Sequence, residues 1–277
     1  MKNFKKLLAV LLAGLMLLSL AACGGKKDEA SWKFGMLSSA NNYSNYLDHL
    51  SEAHGAEKTG AELVMFDNLN AAVMALNKND VATLFVDKAS GDYIAAHNTD
   101  FVFVEESLYP TTNDYSMMTL DTNKEVYDIL NKAIKDMKAD GTLDTLIANE
   151  LTAYINSDPV AKDLPRFDGA ITIKVAVTGD VPPMDFVAAD GKAAGFNVAL
   201  LTEIANRAQV NFDLVQVDSA ARATALSTGK VDVVFWAKNF PCSVCDDAIW
   251  EEEVEGTLIT ESYFSSPVGH VMPKSDK

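Results

Sequence analysis

Two blocks of alternating β-type and helical segments are the feature that most constrains how this chain can fold. In the first block, apolar runs at 33–37, 62–66, 82–86 and 101–105 predict strands. Apolar residues between these runs recur at helical spacing. Strands alternating with helices are typical of a largely parallel sheet with helices packed on its faces. The pattern therefore predicts an α/β fold.

Helices in the first block follow from spacing and from capping residues. Asn68 stands where an N-cap is expected, directly before a helical pattern. The clearest amphipathic pattern ends at Asp140-Gly141, a typical helix stop. The predicted helices are 41–54, 68–76, 91–97, 123–138 and 142–154.

A second block of the same plan begins at Ile171. Between the blocks, 155–170 is rich in Pro, Asp and Lys and has weak periodicity, which predicts a linker. Two α/β blocks indicate two lobes, and ligands in such sheets bind beyond the carboxyl ends of the strands. The second block's predicted strands are 173–177, 212–216 and 231–236, and its predicted helices are 195–208 and 220–228.

The amino terminus has the pattern of a signal peptide. Three lysines precede an apolar run at 7–22, which is shorter than the roughly 20 residues that span a bilayer. The run ends in Ala21-Ala22-Cys23-Gly24, which resembles the lipobox of bacterial lipoproteins. The resemblance implies that 1–22 is removed and that the thiol of Cys23 carries lipid, with 23–30 as a tether. The alternative is an ordinary secreted protein. Either way, we expect a location at the outer face of the bacterial cytoplasmic membrane or in the periplasm.

The charge of the chain excludes one class of partner. Removal of 1–22 takes away three lysines and no acids, so the net charge goes from −16 to −19. Such a surface is unsuited to binding nucleic acid or anionic lipid. A hydrophobic content of 48% indicates a globular chain.

Cys242 and Cys245 form a closely spaced pair in Pro241-Cys-Ser-Val-Cys-Asp246. Outside the cytosol this spacing favours a local disulfide or two idle thiols. A redox pair and a share in a metal site are the alternatives. A zinc site needs about two more ligands, and no histidine is close in sequence. We therefore predict no metal and no cofactor.

Short motifs in both blocks follow the pattern of one protein family. Those in the second block are Val175-Ala-Val-Thr-Gly179, Pro182-Pro183, Asp190-Gly-Lys192, Gly195-Phe-Asn-Val198, Gly229-Lys-Val-Asp232 and Phe264-Ser-Ser-Pro267. Those in the first block are Lys33-Phe-Gly-Met-Leu-Ser-Ser39, 71–76, 81–87, 115–120 and Asp140-Gly-Thr142. With these motifs, the second block resembles the first lobe of type II solute-binding proteins that serve polar amino-acid ABC importers, the bacterial extracellular solute-binding protein family 3. The first block resembles the second lobe and the C-terminal stretch of the same family.

The resembling pieces occur in rotated order, which indicates a circular permutation. The alternative is a tandem protein with both copies truncated. The permutation assigns 31–114 to the family's second lobe and 115–277 to its first lobe, with 155–170 joining the family's usual termini. It also leads us to expect one covalent link between the lobes, near Asp114, with 268–272 beside the chain start. The tether would then enter next to the cleft.

The resemblance implies two ligand contacts in the second lobe. Asp87 stands where the family has an aspartate that pairs with the ligand ammonium; the alternative is a helix N-cap, and both can hold for one carboxylate. The turn Ser38-Ser39-Ala40 opens a predicted helix, and its backbone N–H groups suit a carboxylate. Simple capping is the alternative for this turn.

The first lobe departs from the family at its most important cation. Val244 stands where the family's arginine forks the ligand carboxylate, and Lys238 is the nearest cation. Lysine offers a point charge and not a planar fork. We expect Lys238 in the cleft, with a solvated surface lysine as the alternative.

Further wall positions come from the same resemblance. Trp236 and Ala237 precede Lys238, and Trp236 is either a stacking surface or core. Met184 follows the double proline, where the family places apolar cleft walls, and it is otherwise core. Arg222 is expected to be a surface or structural cation.

Together these features predict a non-enzymatic binding protein. It would close two lobes on a small polar solute, an amino acid as first choice, and deliver it to an ABC permease. A sensory module without transport and an enzyme on the same fold are the alternatives. No Ser/His/Asp arrangement or phosphate loop is present in the sequence, and the four histidines have no motif spacing. No catalytic residue is predicted.

Overall fold

The computed structural model describes residues 33–37, 62–106, 112–239 and 255–274. The predictions for the signal peptide, Cys23, the tether, the helix at 41–54, Ser38, Ser39, Ala40, Val244, Cys242 and Cys245 lie outside these residues.

The described residues form a mixed α/β fold with thirteen strands and six α-helices. The strands are β1 (Lys33–Leu37), β2 (Glu62–Phe66), β3 (Thr83–Asp87), β4 (Phe101–Glu105), β5 (Thr112–Leu120), β6 (Thr172–Val177), β7 (Asp180–Val181), β8 (Asp185–Val187), β9 (Ala193–Ala194), β10 (Asn211–Gln216), β11 (Val233–Asn239), β12 (Thr257–Ile259) and β13 (Phe264–Pro273). The helices are α1 (Leu69–Asn77), α2 (Lys88–His97), α3 (Lys124–Asp140), α4 (Thr142–Leu146), α5 (Phe196–Ala208) and α6 (Arg222–Ser227).

Ten of these strands form one sheet, in the order β10-β6-β11-β5-β13-β3-β1-β2, with β12 beside β5 and β4 beside β13. β1 pairs in parallel with β2 and β3, and β6 pairs in parallel with β10 and β11. All pairs of β5 and β13 are antiparallel. Two parallel groups therefore flank a central antiparallel pair. We call β1–β4 with α1 and α2 the N-terminal half, and β5–β12 with α3–α6 the C-terminal half.

The core of the C-terminal half lies on both faces of its sheet. Helix α3 buries the predicted apolar face against α5 and β5, and α6 covers the opposite face. Helix–sheet packing on both faces explains the continuous apolar runs of β6 and β11. Fully buried side chains of this core include Met117, Leu130, Ile134, Met137, Ile173, Val175, Phe196, Leu200, Phe212 and Val233.

The N-terminal half has its own smaller core. Helix α1 begins after Asn68, whose side chain accepts a hydrogen bond from the N–H of Ala71 at 2.8 Å, so the predicted N-cap is confirmed. The buried apolar face of α1 is removed from water, and this stabilises the N-terminal half. The buried residues of its core are Leu69, Ala72, Ala75, Leu76, Val81, Leu84, Val86, Ile94, Phe101 and Val271.

Strand β13 is hydrogen-bonded in both halves. Its first residues, 264–267, pair with β5, and its later residues pair with β3 and β4. The expectation of a single covalent link near Asp114 is therefore wrong, because β13 is a second continuous link. The expectation that 268–272 lies beside the chain start is also wrong, because β3 lies between β13 and β1.

The start of β1 and the end of β13 lie at one edge of the N-terminal half. Phe34 is in register with Thr83, and Val271 is in register with Leu84, on opposite sides of β3. Lys33 and Pro273 are therefore about two strand spacings apart, roughly 10 Å. This is the amino edge of the parallel strands, opposite the carboxyl edge at Asp87.

The segment 155–170 packs along the C-terminal half. Arg166 pairs with Asp213 of β10 at 2.6 Å, and the N–H of Phe167 donates to Oδ1 of Asn211 at 2.8 Å. Asp158 also reaches the N-terminal half, where it accepts a hydrogen bond from Tyr93 Oη at 2.6 Å. The predicted linker thus binds to both halves.

Helix α5 is fitted closely against the turn before β8. The N–H of Phe196 donates to Pro183 O at 3.0 Å, and that of Asn197 donates to Met184 O at 2.9 Å. Gly195 has φ 98°, and a Cβ there would lie 2.7 Å from both carbonyl oxygens. Only glycine satisfies both requirements at this position.

Gly195→Ala should therefore be strongly destabilising. Gly191→Ala is the matched control, because Gly191 has φ 81° but nothing within 4 Å of a Cβ. We expect the control to lose about 1–2 kcal/mol from backbone strain and Gly195→Ala to lose at least about 2 kcal/mol more. Urea unfolding of both variants measures the difference, and equal losses would contradict the close fit.

Candidate functional site

The carboxyl edges of the two halves meet where β13 passes from one to the other. Val268 is in register with Asp87, the last residue of β3. Pro267, one residue earlier, is in register with Thr112 at the start of β5. The last residues of β11 lie opposite the same stretch of β5. Because ligands bind beyond the carboxyl ends of parallel strands, this junction is the candidate site.

Asp87 lies at this junction and is 7% exposed. Its Oδ1 accepts from the N–H of Ser90 at 3.1 Å, and its Oδ2 accepts from Ser90 Oγ at 2.8 Å. The carboxylate caps α2, so the predicted N-cap role is confirmed. Contact with a ligand ammonium stays a prediction.

Asp114 is a second carboxylate at the junction. In β5 it lies between Ser265 of β13 and Lys238 of β11 in the strand register, and Oγ of Ser265 donates to its Oδ1. The sequence analysis predicts this residue only as a lobe boundary, and it does not predict its place beside the site. A polar run, Thr112-Asn113-Asp114, at the start of an apolar strand was the available signal.

The backbone of β11 carries the predicted residues Trp236, Ala237 and Lys238 to the junction. They lie opposite Ser116, Tyr115 and Asp114 of β5, in that order. Position 238 is therefore next to position 114 in the sheet. The predicted roles of these three residues stay predictions.

Met184 is buried inside the C-terminal half. It is 2% exposed and belongs to the core of the C-terminal half, packed among apolar residues. The core alternative is therefore confirmed, and its role as a cleft wall stays a prediction. Ser38, Ser39 and Ala40 follow Leu37, the carboxyl end of β1, and lie outside the described residues.

Asp185 is a buried acid that the sequence reading did not single out. Its Oδ2 accepts from the N–H of Thr178 at 2.8 Å and from Thr178 Oγ1 at 3.3 Å. Its Oδ1 accepts from the N–H of Gly179 at 2.9 Å. Burial raises the pKa of Asp185 from its ordinary 3.8 to about 6, although these hydrogen bonds and the charge of Arg222 lower it. The carboxylate fixes the loop that follows β6.

Arg222 is the first residue of α6. Its Nη1 donates to Phe235 O in β11 at 2.8 Å, so the predicted structural role is confirmed. Tyr263 is 1% exposed, and its hydroxyl donates to Oδ1 of Asn197 at 3.4 Å. Burial raises the pKa of Tyr263, while the charge of Arg222 opposes that rise.

A cavity of about 400 Å³ lies elsewhere, between the segment 155–170 and the edge strand β10. Three cations line this cavity, and each forms an ion pair. The pairs are Lys162 with Glu150, Arg166 with Asp213 and Lys192 with Asp163. Its lining includes Val177, Gly179 and Gln216, at the carboxyl ends of β6 and β10.

Two further properties concern the described residues only. No group of three or more His, Cys, Asp or Glu side chains within the described ranges could hold a metal ion. Among the helices in those ranges, none combines the length and the apolar character needed to span a bilayer.

Residues 173–238, from β6 to β11, match the family model of bacterial extracellular solute-binding proteins, family 3. The match covers about a quarter of the chain and the parallel part of the C-terminal half. The two α/β halves joined at β5 and β13 confirm the predicted α/β fold class, and the match over 173–238 supports the two-lobed fold of type II solute-binding proteins. The match also supports a solute-binding role.

Similar solved structures include three proteins of different kinds. The zinc-bound ligand-binding component of an ABC-type import system from Staphylococcus aureus has TM-score 0.44 and 11% identity over 87% of this chain, which spans 65% of that protein. The GluR0 ligand-binding core from Nostoc punctiforme, in complex with L-glutamate, has TM-score 0.40 and 11% identity over 88% of this chain and 85% of that one. An OxyR mutant from Corynebacterium glutamicum has TM-score 0.44 and 11% identity over 100% of this chain and 70% of that one. No curated protein sequence matches the chain.

The buried Asp185 should give the stability of the protein a definite pH dependence. The pKa of Asp185 is higher in the folded state than in the unfolded state. Between pH 3.8 and about 6, the folded protein therefore binds more protons than the unfolded protein. Stability should therefore fall as pH rises from 3.8 through about 6. Relative to Asp185→Asn, which cannot ionise, the wild-type protein should lose about 3 kcal/mol over that window.

Urea unfolding at a series of pH values measures this difference. Asp144→Asn, at an exposed carboxylate of α4, is the control and should leave the wild-type pH profile unchanged. A wild-type profile parallel to that of Asp185→Asn would rule out the raised pKa.

Proposed function

We propose that this protein is a lipid-anchored, extracytoplasmic solute-binding protein that captures a small polar solute between its two halves. An amino acid is the first choice of solute, and an ABC permease is the proposed recipient. The family match over 173–238 and the meeting of two carboxyl edges at the β13 crossing support this proposal.

The observation that carries the proposal is the placement of Asp87. A buried carboxylate at the meeting point of two sheet edges is a suitable partner for an ammonium group. Its two oxygens offer about four lone-pair sites, and Ser90 uses two of them. The same carboxylate can therefore cap α2 and accept from a solute.

The proposed partners of the solute carboxylate come from two segments. The backbone N–H groups of Ser38, Ser39 and Ala40 follow the carboxyl end of β1, and Lys238 lies in β11 beside Asp114. Trp236, Ala237 and Met184 are the proposed wall positions. Without an arginine fork, the carboxylate would be held by separate donors.

The circular permutation is part of the proposal. Lys33 and Pro273 lie at one edge of the sheet, separated only by β3, as expected for a connection that is cut in this chain. The segment 155–170 would then be the added connection between α4 and β6.

A variant chain in which residue 274 is joined to residue 33, with new termini within 155–170, tests the permutation. Its unfolding midpoint should equal that of the wild-type protein. Failure of the variant chain to fold would contradict the permutation.

The proposed anchor is lipid on Cys23, after loss of 1–22. Radiolabelled palmitate should be incorporated into the wild-type chain in a bacterial host and not into the Cys23→Ser variant.

Cys242 and Cys245 are proposed to form a local disulfide, which a thiol titration of the unfolded, unreduced protein tests. Two reactive thiols from this pair would contradict the disulfide.

A thermal-shift screen of amino acids, amines and small peptides tests the proposed function directly. A bound solute should raise the melting temperature, because it binds only the folded state. If no solute in the screen has an effect, the binding proposal fails.

Replacement of Asp87 separates capping from binding. Asn caps a helix about as well as Asp, so Asp87→Asn should change stability by less than about 1 kcal/mol while weakening binding of an amino acid at least about tenfold. Asp87→Ala should lose both the cap and the affinity. Urea unfolding and isothermal titration measure the two effects, and full affinity in Asp87→Asn would limit Asp87 to its capping role.

Lys238→Ala tests the proposed cation. Its removal should weaken binding of an amino acid about tenfold and leave binding of the corresponding decarboxylated amine unchanged. Lys230→Ala, an exposed lysine before β11, is the control for a general loss of positive charge. Equal affinities of Lys238→Ala and Lys230→Ala for the amino acid would exclude Lys238 from the site.

A further inference from the structure

A side-chain hydrogen bond joins helix α2 of the N-terminal half to the segment 155–170. Oη of Tyr93 donates to Oδ1 of Asp158 at 2.6 Å. Burial raises the pKa of Tyr93, and the hydrogen bond to Asp158 raises it further, so the hydroxyl keeps its proton. A hydrogen bond to an ionised acceptor is stronger than one between two neutral groups. The contact is therefore a specific one between a neutral donor and a carboxylate.

His97 holds the Tyr93 ring in place for this contact. The two rings are stacked, with their centroids 3.9 Å apart and their planes at 24°. Nδ1 of His97 lies 2.9 Å from the carbonyl oxygen of Tyr93, which can only accept, so this nitrogen donates. Nε2 of the same ring lies 3.7 Å from Oδ1 of Asp158. We call Tyr93, His97 and Asp158 the latch.

Asp158 belongs to a stretch of chain that is fixed to the C-terminal half. Three residues after it, Ala161 forms a β-bridge with Ala194 of β9. Asp163 then pairs with Lys192 at 2.9 Å, in the same hairpin. Asp158 is therefore carried by the C-terminal half, whereas Tyr93 and His97 are carried by α2. The latch is a contact between the two halves.

The two halves also meet in front of their carboxyl edges. Helix α1 begins just beyond the carboxyl end of β2, and β7 begins just beyond the carboxyl end of β6. In the described residues α1 lies against β7. Segments that follow the carboxyl ends of both halves are thus in contact, which makes this the closed arrangement of the halves. The latch is formed in this closed arrangement.

Helix α2 connects the latch to the proposed solute contact. Asp87 caps its first turn, and Tyr93 lies six residues further, about 9 Å along the helix axis. A rotation of the N-terminal half about the junction would therefore move Tyr93 relative to Asp158. A hydrogen bond weakens within a few tenths of an ångström beyond its normal length. Opening of the halves would break the latch.

We propose that Tyr93, His97 and Asp158 are positioning residues for the solute site: they latch α2 to the segment 155–170 and so favour the closed arrangement of the two halves. This inference rests on the proposed function, since it takes solute to be held between the halves. It gives the segment 155–170 a role beyond joining α4 to β6. The latch sets the affinity for solute through the fraction of closed protein.

A distance measurement on the solute-free protein tests the latch directly. Spin labels at Asn70→Cys in α1 and Ala189→Cys after β8, both exposed positions, report the separation of the halves. The full chain is used with Cys23, Cys242 and Cys245 replaced by Ser, and the distances are measured by pulsed electron resonance. Tyr93→Phe and Asp158→Ala should each increase the ratio of long to short distances about fivefold. This factor is modest because the Asp158 side chain is 66% exposed.

Two control variants make the same chemical changes elsewhere. Tyr127→Phe removes a tyrosine hydroxyl from α3, and Asp168→Ala removes an exposed acid from the same segment as Asp158. Both should leave the distance distribution as it is in the parent protein. An unchanged distribution in Tyr93→Phe and Asp158→Ala would overturn the inference. An equal change in the controls would also overturn it, because the effect would then be unspecific.

A solute arm tests the consequence for affinity. The probe is a mixture of the common L-amino acids, followed by the single amino acid that gives the largest thermal shift. The dissociation constant of that amino acid should rise in Tyr93→Phe and in Asp158→Ala by the factor by which the closed fraction falls. The double variant should bind as weakly as either single variant, because both changes break one contact. Multiplied effects in the double variant would overturn the latch.

The two arms fail separately. If no amino acid in the mixture shifts the melting temperature, the proposed function fails. The distance distributions of the solute-free variants would still decide whether the latch holds the halves closed.

Discussion

The hydrogen bonding of β13 on both sides of the molecule is the constraint on which the rest of the structure depends. Its first residues complete the sheet of the C-terminal half, and its last residues are enclosed by β3 and β4 of the N-terminal half. The carboxyl edges meet at its midpoint for this reason. The crossing residue Pro267 has no N–H and so donates no ladder hydrogen bond where the halves join.

Two buried carboxylates show how such a junction tolerates charge away from water. Asp87 and Asp185 are 7% and 5% exposed, and every hydrogen bond described for their oxygens comes from within a few residues along the chain. Burial of an ionised group is costly unless donors surround it. Local donors meet this requirement without help from the other half. Each carboxylate is therefore fixed within its own half.

The sequence predicted the elements of both halves because apolar periodicity records burial directly. The runs at 33–37 and 62–66 are strands with those bounds, and the amphipathic pattern at 123–138 is the core of α3. Asn68 and Asp87 were recognised as capping residues because the signal of an N-cap is local. The predicted helix at 142–154 is instead α4 followed by a π-helical turn at Ile147–Leu151 and a 3-10 turn at Thr152–Tyr154.

Apolar periodicity and capping signals do not predict which distant strands pair with each other. A strand at 264–273 has one alternation pattern whether it serves one sheet or two, so its crossing between the halves could not be predicted. The small sheet β7–β8–β9 was not predicted, because strands of two or three residues are too short to show an alternating pattern. Asp185 was missed because its sequence neighbours do not reveal that the loop at 178–179 folds back onto it.

The position of Lys33 at the amino edge determines how mechanical load would enter the protein. The tether proposed for 23–30 would pull on β1, which has the parallel partners β2 on one side and β3 on the other. Such a pull loads both ladders in shear, so their hydrogen bonds resist together and do not open one after another. The carboxyl edge lies about five residues, roughly 15 Å, further along β1. A force on the tether would therefore be resisted by the N-terminal half. It would not separate the two halves at the junction where solute is proposed to bind.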